Sequence, residues 1–166
     1  MKKLSALILC LAMLLCLCAC GTLEPKELQY EGLTGMISPA FNYSEEYGCW
    51  TMGDAAIYFD LYTEGEIKSN EVYFTTREYC DVLIDDIGVD ASVMVDRESG
   101  VTYCTFNAES ESIEGEMIEY TYLIFVYAKQ GDNFCDYYTV ECSAPADEFA
   151  KYEPEFWSFA KSITIG

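Results

Sequence analysis

Met117-Ile118-Glu119-Tyr120-Thr121-Tyr122-Leu123-Ile124-Phe125-Val126-Tyr127-Ala128 is the stretch that decides the fold. It holds no Gly or Pro and is dense in aromatic and β-branched side chains, so it reads as one long strand. Alternation puts Tyr120, Tyr122, Ile124 and Val126 on one face and Leu123, Phe125 and Tyr127 on the other. A strand apolar on both faces lies inside a sheet that is covered on both sides. The rest of the chain must therefore supply its neighbours and its covers.

The neighbours lie on either side in sequence. Lys129-Gln130-Gly131-Asp132-Asn133 is a hairpin loop, and Phe134 to Cys142 returns as a partner with Tyr138, Val140 and Cys142 on one face. Upstream, Ser92 to Val95 and Val101 to Ala108 form a hairpin about a turn at 96–100. Ala55 to Thr63 alternates Ile57, Phe59 and Leu61 against Tyr58 and Tyr62, following a short apolar run at Cys49-Trp50-Thr51-Met52. Near the N-terminus, Glu27 to Tyr30 is a short strand. Met36 to Phe41 reads as an edge strand because Pro39 cannot donate to a central ladder, and Asn42 to Gly48 is a polar turn.

The covers are helices. Thr75-Thr76-Arg77-Glu78 fits a capping box, in which the Thr side chain and the Glu satisfy each other's free backbone donors. Tyr79, Val82, Leu83 and Ile87 follow as an apolar stripe flanked by Cys80 and Ile84, and Gly88 stands where a left-handed terminator belongs. At the C-terminus Asp147 caps a turn through Tyr152, and Pro154 is expected at the first position of a separate helix. That helix carries Phe156, Trp157, Phe159 and Ala160 before Ser162 to Ile165 closes as a short strand.

In this order of elements, Phe149, Tyr152, Pro154, Phe156 and Ser162-Ile163 follow the strand Asp136-Tyr137-Tyr138-Thr139-Val140, and the pattern resembles the PsbP-like family. That family has an α/β/α sandwich on a mostly antiparallel sheet, an α+β architecture that also occurs in bacterial lipoproteins. Its members include a photosystem II extrinsic subunit and factors that bind small proteins. The resemblance spans most of 27–165 and rests on core-packing residues, so it implies a fold and transfers no functional residue.

The N-terminus carries a different message. Met1-Lys2-Lys3 is a positive start, and Leu4 to Cys18 is free of charge. As a helix this run would cover ~22 Å, short of the ~30 Å hydrocarbon core, which suits a cleaved signal segment better than a resident span. Leu17-Cys18-Ala19-Cys20 resembles a bacterial lipobox, with Cys20 as the residue that receives lipid. The expected division is a signal peptide at 1–19, a lipidated cysteine and short linker at 20–26, and one globular domain at 27–166. Two or more acyl chains hold a protein stably on a membrane. The expected place is therefore the extracytoplasmic side of the cell membrane, anchored through Cys20.

Composition narrows the function. The net charge is −20, and loss of Lys2 and Lys3 with the signal would take it to −22. Such a field repels phosphate backbones, so nucleic acid is not an expected partner. There is no His in the chain, which excludes Ser–His–Asp and Cys–His catalysis. Cys49, Cys80, Cys104, Cys135 and Cys142 follow Cys20; their number is odd, no CxxC occurs, and disulfides and buried thiols stand as alternative readings. The acid pairs Asp85-Asp86 and Glu45-Glu46 read as solvated surface rather than an acid and base. Glu109, Glu111, Glu114 and Glu116 are the candidate metal ligands. They are read as an exposed loop that either is simply solvated or holds calcium weakly, without the EF-hand pattern. No other cofactor is expected. The functional expectation is a membrane-anchored, non-catalytic binding or accessory module whose partner is an envelope protein, with a small-ligand or calcium-binding lipoprotein as the alternative and a small enzyme behind both.

Overall fold

The computed structural model describes residues 24–65, 72–112 and 115–166. The signal peptide, the lipobox with Cys20, and Glu114 lie outside the described residues. Ten strands and two helices follow in the order β1 (Lys26–Tyr30), β2 (Leu33–Ile37), β3 (Asn42–Ser44), β4 (Cys49–Met52), β5 (Ala55–Glu64), α1 (Thr76–Ile87), β6 (Met94–Val95), β7 (Thr102–Glu111), β8 (Met117–Gln130), β9 (Cys135–Pro145), α2 (Phe149–Ser162) and β10 (Thr164–Ile165).

The main sheet has seven antiparallel strands in the order β3-β4-β5-β9-β8-β7-β6. β8 lies between β9 and β7, as its two apolar faces require. On one face Leu123 and Phe125 join Val140, Cys142 and Ala144 against Tyr152, Phe156, Phe159 and Ala160 of α2. On the other, Ile124 and Val126 join Cys104 against Cys80 and Ile84 of α1. A second sheet, β1-β2-β10, flanks α2 and adds Leu28, Leu33 and Ile37 to the larger core. The expected α/β/α sandwich on an antiparallel sheet is thus what the chain forms.

α1 starts as its sequence specifies. The Thr75 side chain accepts from the Glu78 backbone N–H at 3.2 Å, and the Thr75 N–H donates to Glu78 Oε2 at 2.8 Å. Gly88 ends the helix at φ 76°, in the left-handed region that glycine enters without strain. The buried face differs from the expected stripe by about one position. Cys80 and Ile84 point inward while Val82 and Ile87 are exposed, because the small thiol of Cys80 lets the helix sit close over Cys104 and Ile124.

Two further expectations need correction. β2 is the central strand of the small sheet, ending at Ile37 before Pro39, whose missing donor falls in the turn closed by Phe41 N–H on Ser38 O. Pro154 lies inside a single helix from Phe149 to Ser162 rather than opening a second one. Its lost bond leaves the carbonyl of Ala150 to solvent at an exposed residue. Continuity of α2 lets Tyr152 and Phe159 face one core, and Tyr127 OH donates to Ala160 O at 2.8 Å to hold the far end. Beyond it, Ser162 Oγ accepts from the Met36 N–H at 2.7 Å and ties the helix end to β2.

Candidate functional site

The two faces of the main sheet are not covered equally. α1 packs over β7 and β8 beside Val126, and its Tyr79 stacks on Tyr137 at 4.3 Å between centroids and 3° between planes. Towards Tyr120 no helix of the described residues lies over the same face. There the strands leave a cleft with a volume of about 510 Å³, within the usual range of ~300–1,000 Å³ for small-molecule sites.

Register explains the cleft. Ala56 of β5 pairs with Ser143 of β9, and Ser143 pairs with Tyr122 of β8. Two small side chains side by side form a low floor. One pleat along, Tyr58 of β5 pairs with Glu141 of β9, so Tyr58, Tyr122 and Glu141 rise around that floor. Tyr120 extends the wall, its ring 6.4 Å from that of Tyr122, and Phe106 backs Tyr122 in a stack at 5.1 Å. The turn residues Tyr47, Gly53 and Asp54 close one side, and Ser110 and Glu111 at the end of β7, with Gly115 of the turn after it, close the other.

Glu141 is the residue out of keeping with its place. It sits on an interior strand, half-buried, with Tyr58 and Ile124 as direct cross-strand neighbours. No hydrogen bond or ion pair reaches its carboxylate among the described residues. Burial pushes its carboxyl above the ordinary Glu range. Tyr58 is pushed up as well, chiefly by the hydrogen bond between its hydroxyl and the Cys49 thiol and then by burial. Tyr120 is raised by burial and by the nearby charge of Asp54. Among the described residues the lining therefore offers phenol hydroxyls, the carboxylates of Asp54, Glu111 and Glu141, and no Lys or Arg.

Of the residues expected to bind metal, Glu109, Glu111 and Glu116 are described and Glu114 is not. Glu109 and Glu111 continue β7 rather than lying in a loop, opposite Glu119 and Met117 of β8. Glu116 follows the turn closed by Gly115 N–H on Ser112 O, and the described residues contain no group of three acids or thiols able to share an ion. Glu45, Glu46, Asp85 and Asp86 are exposed. All five of Cys49, Cys80, Cys104, Cys135 and Cys142 are buried free thiols, so of the two cysteine readings the structure holds buried thiols. Cys80 and Cys104 face each other between α1 and β7, and that thiol–thiol hydrogen bond, with burial, pushes Cys80 up. Among the described residues no helix is long and apolar enough to cross a membrane.

Sequence reading missed Glu141 and the small pair Ala56 and Ser143. One signal was present: a lone carboxylate amid Tyr137, Tyr138, Val140, Cys142 and Ala144. The pairing of two small residues on adjacent strands carries no such signal, because register is not written in either strand alone.

No family model matches the chain, and no curated protein matches it. Among solved structures it is similar to the cyanobacterial PsbP protein CyanoP of Synechocystis sp. PCC 6803, at a TM-score of 0.49 and 14% identity over 89% of this chain and 96% of that one. It is also similar to a crystal structure from Bacteroides thetaiotaomicron VPI-5482, at a TM-score of 0.43 and 13% identity over 86% of this chain and 42% of that one.

Proposed function

We propose that the chain is a non-catalytic binding module, held by lipid on Cys20 at the extracytoplasmic side of the cell membrane. The observation that supports binding is the open cleft on the uncovered half of the main sheet. Its groups can donate hydrogen bonds and attract positive charge, while among the described residues the lining holds no amine and its one thiol, Cys49, is buried. Glu141, the one lining carboxyl raised by burial, has no hydrogen bond to a second lining side chain that would pair it as acid with base. The tether follows from Leu17-Ala19-Cys20 and the charge-free run before it. An envelope protein or a small ligand is the partner class such a module would meet there.

The tether is tested by expressing the wild type and Cys20→Ala and comparing detergent partitioning and intact mass of the membrane fraction. The wild type is expected in the detergent phase with lipid mass on residue 20, and the variant unprocessed and unlipidated. Wild-type protein found in the medium without lipid mass refutes the anchor and leaves the fold untouched.

A further inference from the structure

We propose that the cleft on the open half of the main sheet binds an alkylammonium ion, with Glu141 as counter-ion and the rings of Tyr58 and Tyr122 as its cage. The proposal gives the ligand chemistry of the binding module described above and rests on that reading, although it does not depend on the lipid anchor.

Three features of the cleft converge on this chemistry. The first is charge: among the described residues Asp54, Glu111 and Glu141 line it and no cationic side chain does, so an anionic ligand is repelled. The second is the unanswered carboxylate. Glu141 is half-buried on an interior strand with no hydrogen-bond or ion-pair partner among the described residues. Water reaches its oxygens, since no buried side-chain oxygen lacks a partner among the described residues, but a partly desolvated carboxylate gains from an opposite charge placed beside it. The third is the wall. Tyr58, 38% exposed, stands directly across from Glu141, and Tyr122 stands one pleat away on the other neighbouring strand. Between them lies the floor of Ala56 and Ser143, low enough for methyl or methylene groups to settle against ring faces.

A bare metal ion fits these features poorly. Hard cations such as calcium take six to eight oxygens, whereas no group of three acids converges among the described residues. An organic ammonium needs only one close carboxylate and aromatic faces within about 6 Å of the charge. Its apolar substituents gain from the rings that a hydrated metal would not use. A free amine and a lysine side chain of a partner share this chemistry, and the probes below separate them.

The experiment is titration calorimetry on the full chain in detergent at low salt, with tetramethylammonium, butylammonium and Nα-acetyl-lysinamide as probes and sodium and calcium as comparators. Saturable binding of at least one alkylammonium, at least tenfold tighter than sodium, is expected. Tetramethylammonium and butylammonium without the lysine probe indicates a free amine; all three indicates a lysine-bearing partner. Glu141→Gln keeps the shape and removes the charge, and should weaken binding at least tenfold. Tyr122→Leu should erase the preference for tetramethylammonium over sodium. Asp85→Asn removes a surface charge on α1 far from the cleft and should change affinity less than twofold. Equal losses from Glu141→Gln and Asp85→Asn would mean attraction by the acidic coat alone and would overturn the site. So would calcium binding that competes with every amine, or no saturation by any of the three amines. Those outcomes leave the anchor to be judged separately by the Cys20→Ala fractionation.

Discussion

Gly35 is a point of close approach between α2 and the small sheet. It is buried in the middle of β2, opposite Leu28 of β1. A Cβ built there would lie 2.7 Å from Phe159 Cε2, 3.3 Å from Phe159 Cζ and 3.1 Å from Ile163 Cγ1. Carbon atoms settle at about 3.5–4.0 Å, so the ring would have to move by roughly 1 Å. It has nowhere to go: Phe159 is 1% exposed and meets Phe59 edge-on at 5.9 Å. Overpacking of this kind costs about 1–3 kcal/mol. Against it stands the loss of unfolded-chain freedom when Gly becomes Ala, which favours the folded state by about 0.4–1 kcal/mol. Gly35→Ala should therefore destabilise by ~1–2 kcal/mol. Urea unfolding followed by Trp fluorescence reads this as a midpoint lower by roughly 0.5–1 M at unchanged slope. In a Phe159→Leu background the ring atoms are gone and the same substitution should cost less than half as much. Equal cost in both backgrounds, or a Gly35→Ala protein as stable as the wild type, would refute the close approach of helix and strand.

Phe156, fully buried between Phe41 and Phe149, should cost about 3–5 kcal/mol on truncation to Ala. The half-buried Trp157, whose ring edges meet Tyr103 and Phe125, should cost less in the same unfolding assay. Thr75→Ala removes the side-chain half of the α1 capping box and should lower stability by about 1 kcal/mol, with faster hydrogen exchange in the first turn of α1. The carboxyl of Glu141 is raised in the folded state, so burial penalises its charge fully at pH values above that raised pKa. The penalty fades as pH falls towards the unfolded value of about 4.3. Tyr58 and Tyr122 beside it and Asp54 and Glu111 at the rim supply no positive charge to reverse that sign. Glu141→Gln should accordingly raise the melting temperature at pH 7, with the gain shrinking at pH 4; a fall at pH 7 would show that the ionised carboxylate stabilises the fold.

Much of the fold was legible because its signals are local. The two-faced run from Met117 to Ala128 required a sheet covered twice, and Thr75, Glu78 and Gly88 marked a helix at both ends. What failed to show depends on partners distant in sequence. The inward face of α1 was set by how closely Cys80 approaches Cys104, and the place of β2 in the small sheet by β10 returning beside it. Pro154 reads locally as a helix start, but packing of Tyr152, Phe156 and Phe159 into one core carries the helix through it. The acids from Glu109 to Glu116 looked like a loop by composition, whereas pairing with β8 continues the strand to Glu111.

The open half of the sheet follows from lengths. α1 has 12 residues and is roughly 18 Å long at 1.5 Å per residue, while β8 has 14 and spans roughly 46 Å at 3.3 Å per residue. One such helix cannot cover that face, and the uncovered stretch must tolerate water. Tyr58, Tyr120, Tyr122 and Ser143 meet that demand, since each joins a packing body or a small volume to a hydroxyl. Glu141 does not meet it, because a hydroxyl at its position would serve solvation equally well without a desolvated charge. Residues that break a local rule without an evident structural gain mark functional sites more often than structural ones. An uncovered sheet face explains a cleft with tyrosine walls, and a cationic occupant would give the carboxylate in its wall a role.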